Sequence, residues 1–383
     1  MSNENVTYSD SATGSPFRGR RGRIIMAGGG TGGHIFPAIA IANAIKKQQP
    51  DAEILFVGAK GKMEMEKVPQ AGYNIEGLDI AGFNRSSLIK NIGLPLKLVK
   101  SFLQVRTIMN SFKPDAVIGV GGYSSFPVLR YAQSKGIATF IHESNSFAGK
   151  SNILLGKKAT KVFVASDKME KFFPAEKLMI TGNPVRAAIA HATVSREEGL
   201  KFFGLTAAKK TVLVVGGSLG AKSINETIDA GIDQFEQNDL QLIWQTGKPY
   251  AAQGKARANG KANVWVNDFI KEMENAYAAA DVVISRAGAM AIAEICLVAK
   301  PAVFVPYPHA AEDHQTVNAQ HLVEKHAGLM VKDSETKEKL LSSIIALAKD
   351  EVKQNELKQN IAKLGVADAD TVIASEVLKL IKK

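Results

Sequence analysis

From Arg23 onward, short apolar runs alternate with longer stretches whose apolar positions recur every three or four residues. The short runs predict strands at 24–27, 53–57, 116–120, 138–141, 162–164 and 178–181, and the longer stretches predict helices at 37–48, 62–71, 95–111, 126–135 and 148–156. Asn183-Pro184 interrupts the pattern as a turn. The alternation then resumes, with strands at 211–215, 241–245, 263–266, 281–284 and 302–305 and helices at 221–236, 271–279, 289–298, 314–326 and 335–348. Near the end, Val372, Ile373, Val377, Leu378 and Ile381 fall at helical spacing and predict a terminal helix over 368–382. Continuously apolar strands separated by helices belong in parallel sheets covered on both faces. The pattern therefore predicts an α/β chain of two doubly wound domains, 23–183 and 184–366, followed by a terminal helix (367–383) packing back on the first domain.

The chemistry sits where strands turn into helices. Arg23–Ala27 runs into Gly28-Gly29-Gly30-Thr31-Gly32-Gly33, and Thr211–Val215 runs into Gly216-Gly217-Ser218-Leu219-Gly220. Glycine lets backbone N–H groups approach an anion, and the following helix aims the positive end of its dipole at the same point. A third stretch, Gly121-Gly122-Tyr123, again follows a strand and opens a helix, so two glycine-lined helix starts in the first half can grip a diphosphate. Gly28, Gly30 and Gly33 satisfy a dinucleotide fingerprint, but the strand Glu53–Val57 ends in Gly58-Ala59, without the acid that binds a ribose. An NAD-linked oxidoreductase is disfavoured on that ground.

His34 follows the first loop, where a helix N-terminus disfavours the imidazolium and suits a general base. In the second half, Glu294 lies in the first turns of a helix opened by Ser285–Ala289, a position from which a carboxylate reaches both hydroxyls of a ribose. His309, Glu312, Asp313 and His314 match no standard zinc spacing, so no metal is expected.

Composition adds two constraints. The single Cys296, inside an apolar run, excludes an intrachain disulfide and reads as a packed thiol. The net charge of +11 lies entirely in the first 185 residues, which implies an anionic surface or substrate for that half. Residues 1–22 read as a basic, disordered tail without a secretory signal, and no run spans a bilayer. No acid occurs between Asp79 and Asp115, where Lys90 and other bases surround Phe83, Leu88, Ile89, Ile92 and Leu94; residues 83–95 are read as a shallow membrane contact. Leu96, Val99, Phe102, Leu103 and Val105 repeat helically and are read as core. The basic face lacks the interleaved aromatics that single-stranded nucleic acid requires, so nucleic acid is not expected.

Seven segments, Gly28–His34, Gly121–Tyr123, His142–Asn145, Gly182–Arg186, Gly216–Gly220, Arg286–Glu294 and Asp313–Ala319, together resemble the MurG family, the bacterial peptidoglycan N-acetylglucosaminyltransferases. The resemblance runs from Arg23 to the C-terminus. It implies a GT-B fold, two Rossmann-like domains across a cleft, and inverting transfer of N-acetylglucosamine from UDP-N-acetylglucosamine to the undecaprenyl-diphosphate muramyl-pentapeptide, lipid I, giving lipid II without a cofactor. It implies donor contacts at Thr31, Gly32, Gly33, Asn145, Arg186, Ser218, Ile270, Ala289, Met290, Ala291, Ile292, Ala293, Glu294 and Gln315, with Ile270 on the uracil. Gly30, Gly121, Gly122 and Tyr123 would meet the acceptor diphosphate, and His34 or Glu143 would take the proton. It also implies peripheral attachment to the cytoplasmic face of the inner membrane, alongside other cell-wall and division proteins. Two departures stand out: Ser144 replaces the family's usual Gln, and Ser124-Ser125-Phe126 precedes Pro127 where a small residue is usual. A nucleotide-sugar epimerase would share the donor pocket but needs no basic, apolar acceptor face.

Overall fold

The computed structural model describes residues 22–81 and 94–381. Two parallel sheets form among them. The first holds β1 (Arg23–Ala27), β2 (Glu53–Ala59), β3 (Asn74–Leu78), β4 (Ala116–Gly119), β5 (Ala138–Glu143), β6 (Lys161–Val164) and β7 (Leu178–Ile180), in the order β3-β2-β1-β4-β5-β6-β7. The second holds β8 (Lys210–Val215), β9 (Leu240–Gln245), β10 (Val264–Asn267), β11 (Val282–Ser285), β12 (Ala302–Phe304) and β13 (Leu329–Met330), in the order β10-β9-β8-β11-β12-β13. In both, strand order reverses beside the strand that carries a glycine loop, which opens a crevice at the carboxyl ends. Each sheet is buried on two faces: Met26 and Ile118 pack on one side of the first while Ile25 and Val117 pack on the other.

Two of the four edge strands, β3 and β13, escape the hydrophobic pattern. β3 reads Asn-Ile-Glu-Gly-Leu, poor in β-formers, and is held by its ladder with β2 and by burial of Leu78 and Ile75. β13 is two residues long. The expected helix 221–236 is two helices, Lys222–Ala230 and Asp233–Gln237, divided at Gly231. A Cβ there would lie 2.0 Å from the Leu341 side chain, so the break carries a glycine, the poorest helix former after proline. The helix after β1 begins at Gly32 rather than at Pro37, which lies inside it. His34 thus sits in the first helical turn.

A further expectation is corrected. In the helix Leu94–Phe112, Ser101, Val105 and Met109 face inward, whereas Leu96, Val99 and Leu103 are exposed (77%, 60% and 60%). A helical repeat defines two faces, and both carry apolar residues here. Leu94 is half-buried; Phe83, Leu88, Ile89, Lys90 and Ile92 lie outside the described residues.

The chain crosses between the sheets twice. Gly182, at φ +76°, allows a tight approach to the returning segment, since a Cβ would stand 2.8 Å from Val366. Beyond that crossing the helix Ala369–Leu380 lies on the helix Gly32–Gln48, burying Ile373, Ala374, Val377 and Leu378 in the core of the first sheet. Gln48 donates to the Thr371 carbonyl and accepts from Ser375 Oγ, both at 3.0 Å.

Candidate functional site

The first glycine loop and the Gly121-Gly122 loop interlock. Gly29 N donates to Gly121 O at 3.3 Å, and a Cβ on Gly122 would fall 2.3 Å from Gly29 O. At φ +89° Gly122 also holds a conformation that disfavours any side chain. Ser125 Oγ ties both loops down, sharing its single proton between Ala27 O (2.7 Å) and Gly121 O (3.1 Å). Tyr123 stands half exposed at the rim.

His34 lies against this junction, its ring next to Gly121. Its Nδ1 is 3.1 Å from Gly29 O and 3.3 Å from Thr31 Oγ1. A carbonyl only accepts, so Nδ1 carries the proton and Nε2 keeps its lone pair. Burial pushes the imidazole below the ordinary histidine range, against the opposing pull of Glu143. Thr31 is exposed at the helix N-terminus, and Gly32 and Gly33 form the first turn. The Gly30 amide is already engaged: it donates to Glu64 Oε2 at 2.8 Å.

Glu143 ends β5, and its carboxylate is saturated by its own loop. Oε1 accepts from Asn145 N (3.1 Å) and Nδ2 (3.2 Å); Oε2 accepts from Gly149 N (3.1 Å) and Asn152 Nδ2 (2.9 Å). Ser144 Oγ lies 3.4 Å from His142 Nδ1, and its carbonyl accepts from Asn183 Nδ2 at 3.0 Å.

On the other sheet, the helix Ala289–Leu297 leaves β11 with Ala289, Met290, Ala291, Ile292 and Ala293 half-buried and Glu294 buried. One Glu294 oxygen accepts from Arg186, and the other accepts from the Tyr277 hydroxyl at 3.1 Å. The Arg186 guanidinium also stands 5.7 Å from the Phe36 ring centroid, on the helix that carries His34. Ser218 is exposed in its loop. Ile270 N donates to Gln245 Oε1 at 2.9 Å while its side chain is buried; beside it a groove of about 490 Å³ is lined by Phe202, Trp265 and Phe269. Gln315 Oε1 accepts from Tyr307 N at 3.0 Å. Among the described residues no three His, Cys, Asp or Glu side chains converge as metal ligands.

Asn318 spans the two halves of the cleft. Its Oδ1 accepts from Ser146 N at 3.1 Å, and its Nδ2 donates to Ala287 O at 3.2 Å and toward Asn145 Oδ1 at 3.4 Å. Sequence reasoning gave no role to Asn318, Asn152, Tyr277 or Glu64. Asn318 was within reach, because it lies inside the Asp313–Ala319 motif. A lone acid in Met63-Glu64-Met65 and a tyrosine among alanines carry no comparable signal.

Comparison with known proteins agrees with this fold. Residues 24–164 match the glycosyltransferase family 28 N-terminal domain, and residues 211–373 match the glycosyltransferase family 28 C-terminal domain. A curated protein of Phocaeicola vulgatus, named UDP-N-acetylglucosamine–N-acetylmuramyl-(pentapeptide) pyrophosphoryl-undecaprenol N-acetylglucosamine transferase, is 53% identical over 94% of this chain and 97% of its own length. The chain belongs to the MurG family. A Bacteroides fragilis protein of the same name is 52% identical over 94% of the chain and 95% of its own length. The crystal structure of MurG from Acinetobacter baumannii superposes with a TM-score of 0.74 at 29% identity, covering 94% of this chain and 99% of that one. The two sheets are thus the two halves of the MurG-family GT-B fold, and the chain is a glycosyltransferase.

Proposed function

We propose that this chain transfers N-acetylglucosamine from UDP-N-acetylglucosamine to the muramyl hydroxyl of undecaprenyl-diphosphate muramyl-pentapeptide, inverting the anomeric carbon. Identity above one half to curated enzymes of that name, over nearly the full length, carries the reading. His34 Nε2, left unprotonated by the bond from Nδ1 to Gly29, takes the acceptor proton as the hydroxyl attacks. Glu143 is already filled with four donors, which favours it as the group that orients Asn145 and supports the imidazolium. The departing UDP carries its charge away between Arg186, the Ser218 loop and the start of the helix Ala289–Leu297, while Glu294 holds the ribose.

No helix among the described residues is long and apolar enough to cross a membrane. The acceptor is a lipid, and the exposed Leu96, Val99 and Leu103, next to Lys97 and Lys100, extend the apolar, basic face read from residues 83–95. This face supports peripheral attachment of the first half to the cytoplasmic surface of the inner membrane. Incubation with labelled UDP-N-acetylglucosamine and a lipid I analogue tests the reading: a disaccharide product is expected, and release of free sugar or of an epimer in its place would refute it.

A further inference from the structure

We propose that Glu64 is a positioning residue of the reaction: its buried carboxylate fills the cradle of the first glycine loop and, through that loop, sets His34. Glu64 begins the helix Glu64–Gln70 and is 1% exposed. Its Oε2 accepts from Gly30 N at 2.8 Å and its Oε1 from Ala59 N at 2.9 Å. One carboxylate therefore joins the end of β2 to the loop that leaves β1. The space for it is made by two missing side chains. A Cβ on Gly29 would lie 2.2 Å from Glu64 Oε1, and one on Gly58 would lie 2.5 Å from Glu64 Cγ.

The consequence for chemistry runs through one peptide. Gly29 rests on the Glu64 carboxylate, offers its carbonyl to His34 Nδ1 at 3.1 Å, and donates its amide to Gly121 O at 3.3 Å. Moving Gly29 moves the acceptor that selects the imidazole tautomer. The same geometry removes Gly30 from the set of amides open to a substrate phosphate. A second anion at that amide would meet the Glu64 charge in a dry site, where like charges repel strongly. A diphosphate on this half is left to the Gly121–Tyr123 loop and the first-turn amides after Gly30.

A carboxylate accepts from both amides at once; the amide of Gln accepts from one and turns its own N–H groups toward the other. Glu64→Gln thus breaks one of the two bonds at nearly constant volume. This inference rests on His34 being the base of the proposed transfer, so it is tested on two readouts. In the first, E64Q is expected to lower kcat ten- to a hundredfold while the KM for UDP-N-acetylglucosamine and the Kd for UDP, held by the other half, stay within twofold. A folded E64Q with unchanged kcat, or one that loses UDP affinity in step with kcat, overturns the proposal.

The second readout needs no reaction. Amide hydrogen exchange of the peptide containing Gly28–His34 is expected to show slow exchange at Gly30 in the unaltered protein, rising at least tenfold in E64Q. If E64Q does not fold, the unaltered protein still decides: a Gly30 amide exchanging as fast as an unbonded glycine amide overturns the pin. Slow exchange in a protein that forms no disaccharide would sink the transferase reading and leave the pin standing.

Discussion

Arg186 approaches a single carboxylate oxygen of Glu294 with both Nε and Nη2, each at 3.0 Å. The two residues are 108 apart in sequence and come together because the crossing at Gly182–Arg186 delivers the arginine beneath the helix Ala289–Leu297. Burial pushes the Glu294 carboxyl above the ordinary range, against the pull of Arg186 and Tyr277. A ribose that bonds Glu294 must therefore share it with Arg186 or displace it toward the diphosphate. Removing the arginine leaves a buried carboxylate with one partner fewer. Arg186→Ala is expected to lower unfolding free energy by about 2 kcal/mol, the scale of a hydrogen bond to a charged group, in urea titration.

The same pair predicts a signature in ligand choice. If Glu294 bonds the ribose hydroxyls, the protein is expected to prefer UDP to 2′-deoxy-UDP by tenfold or more, roughly the 1.4 kcal/mol per decade of a lost charged bond. In Glu294→Ala the preference is expected to shrink to near unity. Calorimetric titration of both nucleotides against both proteins reads it, and a preference that survives E294A removes Glu294 from the ribose.

His34 predicts the acid limb of activity. Burial lowers its pKa below 6.5; Glu143 and Glu64 pull it upward and His314 pushes it further down. The base form then persists as pH falls through 6.5, and the acid limb of kcat/KM is expected below that value. His34→Ala is expected to cost about a hundredfold or more and to erase that limb. A limb centred above pH 7 in the unaltered enzyme contradicts the assignment.

His142 predicts acid sensitivity of the fold. It is fully buried, with Nε2 3.3 Å from Gly182 O, and desolvation pushes its pKa down to about 4 from 6.5. Because the folded value is the lower one, the unfolded chain takes up the proton first as pH drops. The stability at stake is intact above pH 6.5 and disappears progressively toward pH 4, on the order of 3 kcal/mol by linkage. Urea midpoints measured from pH 7 to pH 4.5 are expected to fall, and to fall less in His142→Gln.

The exposed face of the helix Leu94–Phe112 predicts binding to anionic vesicles. Replacing Leu96, Val99 and Leu103 together by Ser is expected to weaken flotation with phosphatidylglycerol vesicles at least tenfold while leaving the UDP Kd unchanged. Flotation as strong in the triple variant would assign attachment elsewhere.

The fold was legible because its central strands are buried on both faces and therefore uniformly apolar, as in Ile24–Ala27 and Val212–Val215. Legibility failed where burial is one-sided or the element is short, at β3 and β13, and where a helix is apolar on two faces, as at Leu96 and Val105. Within the site, glycines and motif side chains announced themselves through their loops. Glu64 and Tyr277 did not, because each works through a partner distant in sequence that only the folded chain supplies. The four donors on Glu143, which favour His34 as the proposed base, were closed to sequence for a like reason.

The docking of Ala369–Leu380 onto Gly32–Gln48 reaches into biosynthesis. A ribosome releases the residues that seal the amino-terminal core only after the whole second sheet has emerged. Until then Ile41 and Ile45 lack the cover of Ile373 and Val377, so the nascent first half carries an open apolar stripe throughout translation of the rest. A stop codon ahead of Ala369 would injure the opposite end of the molecule.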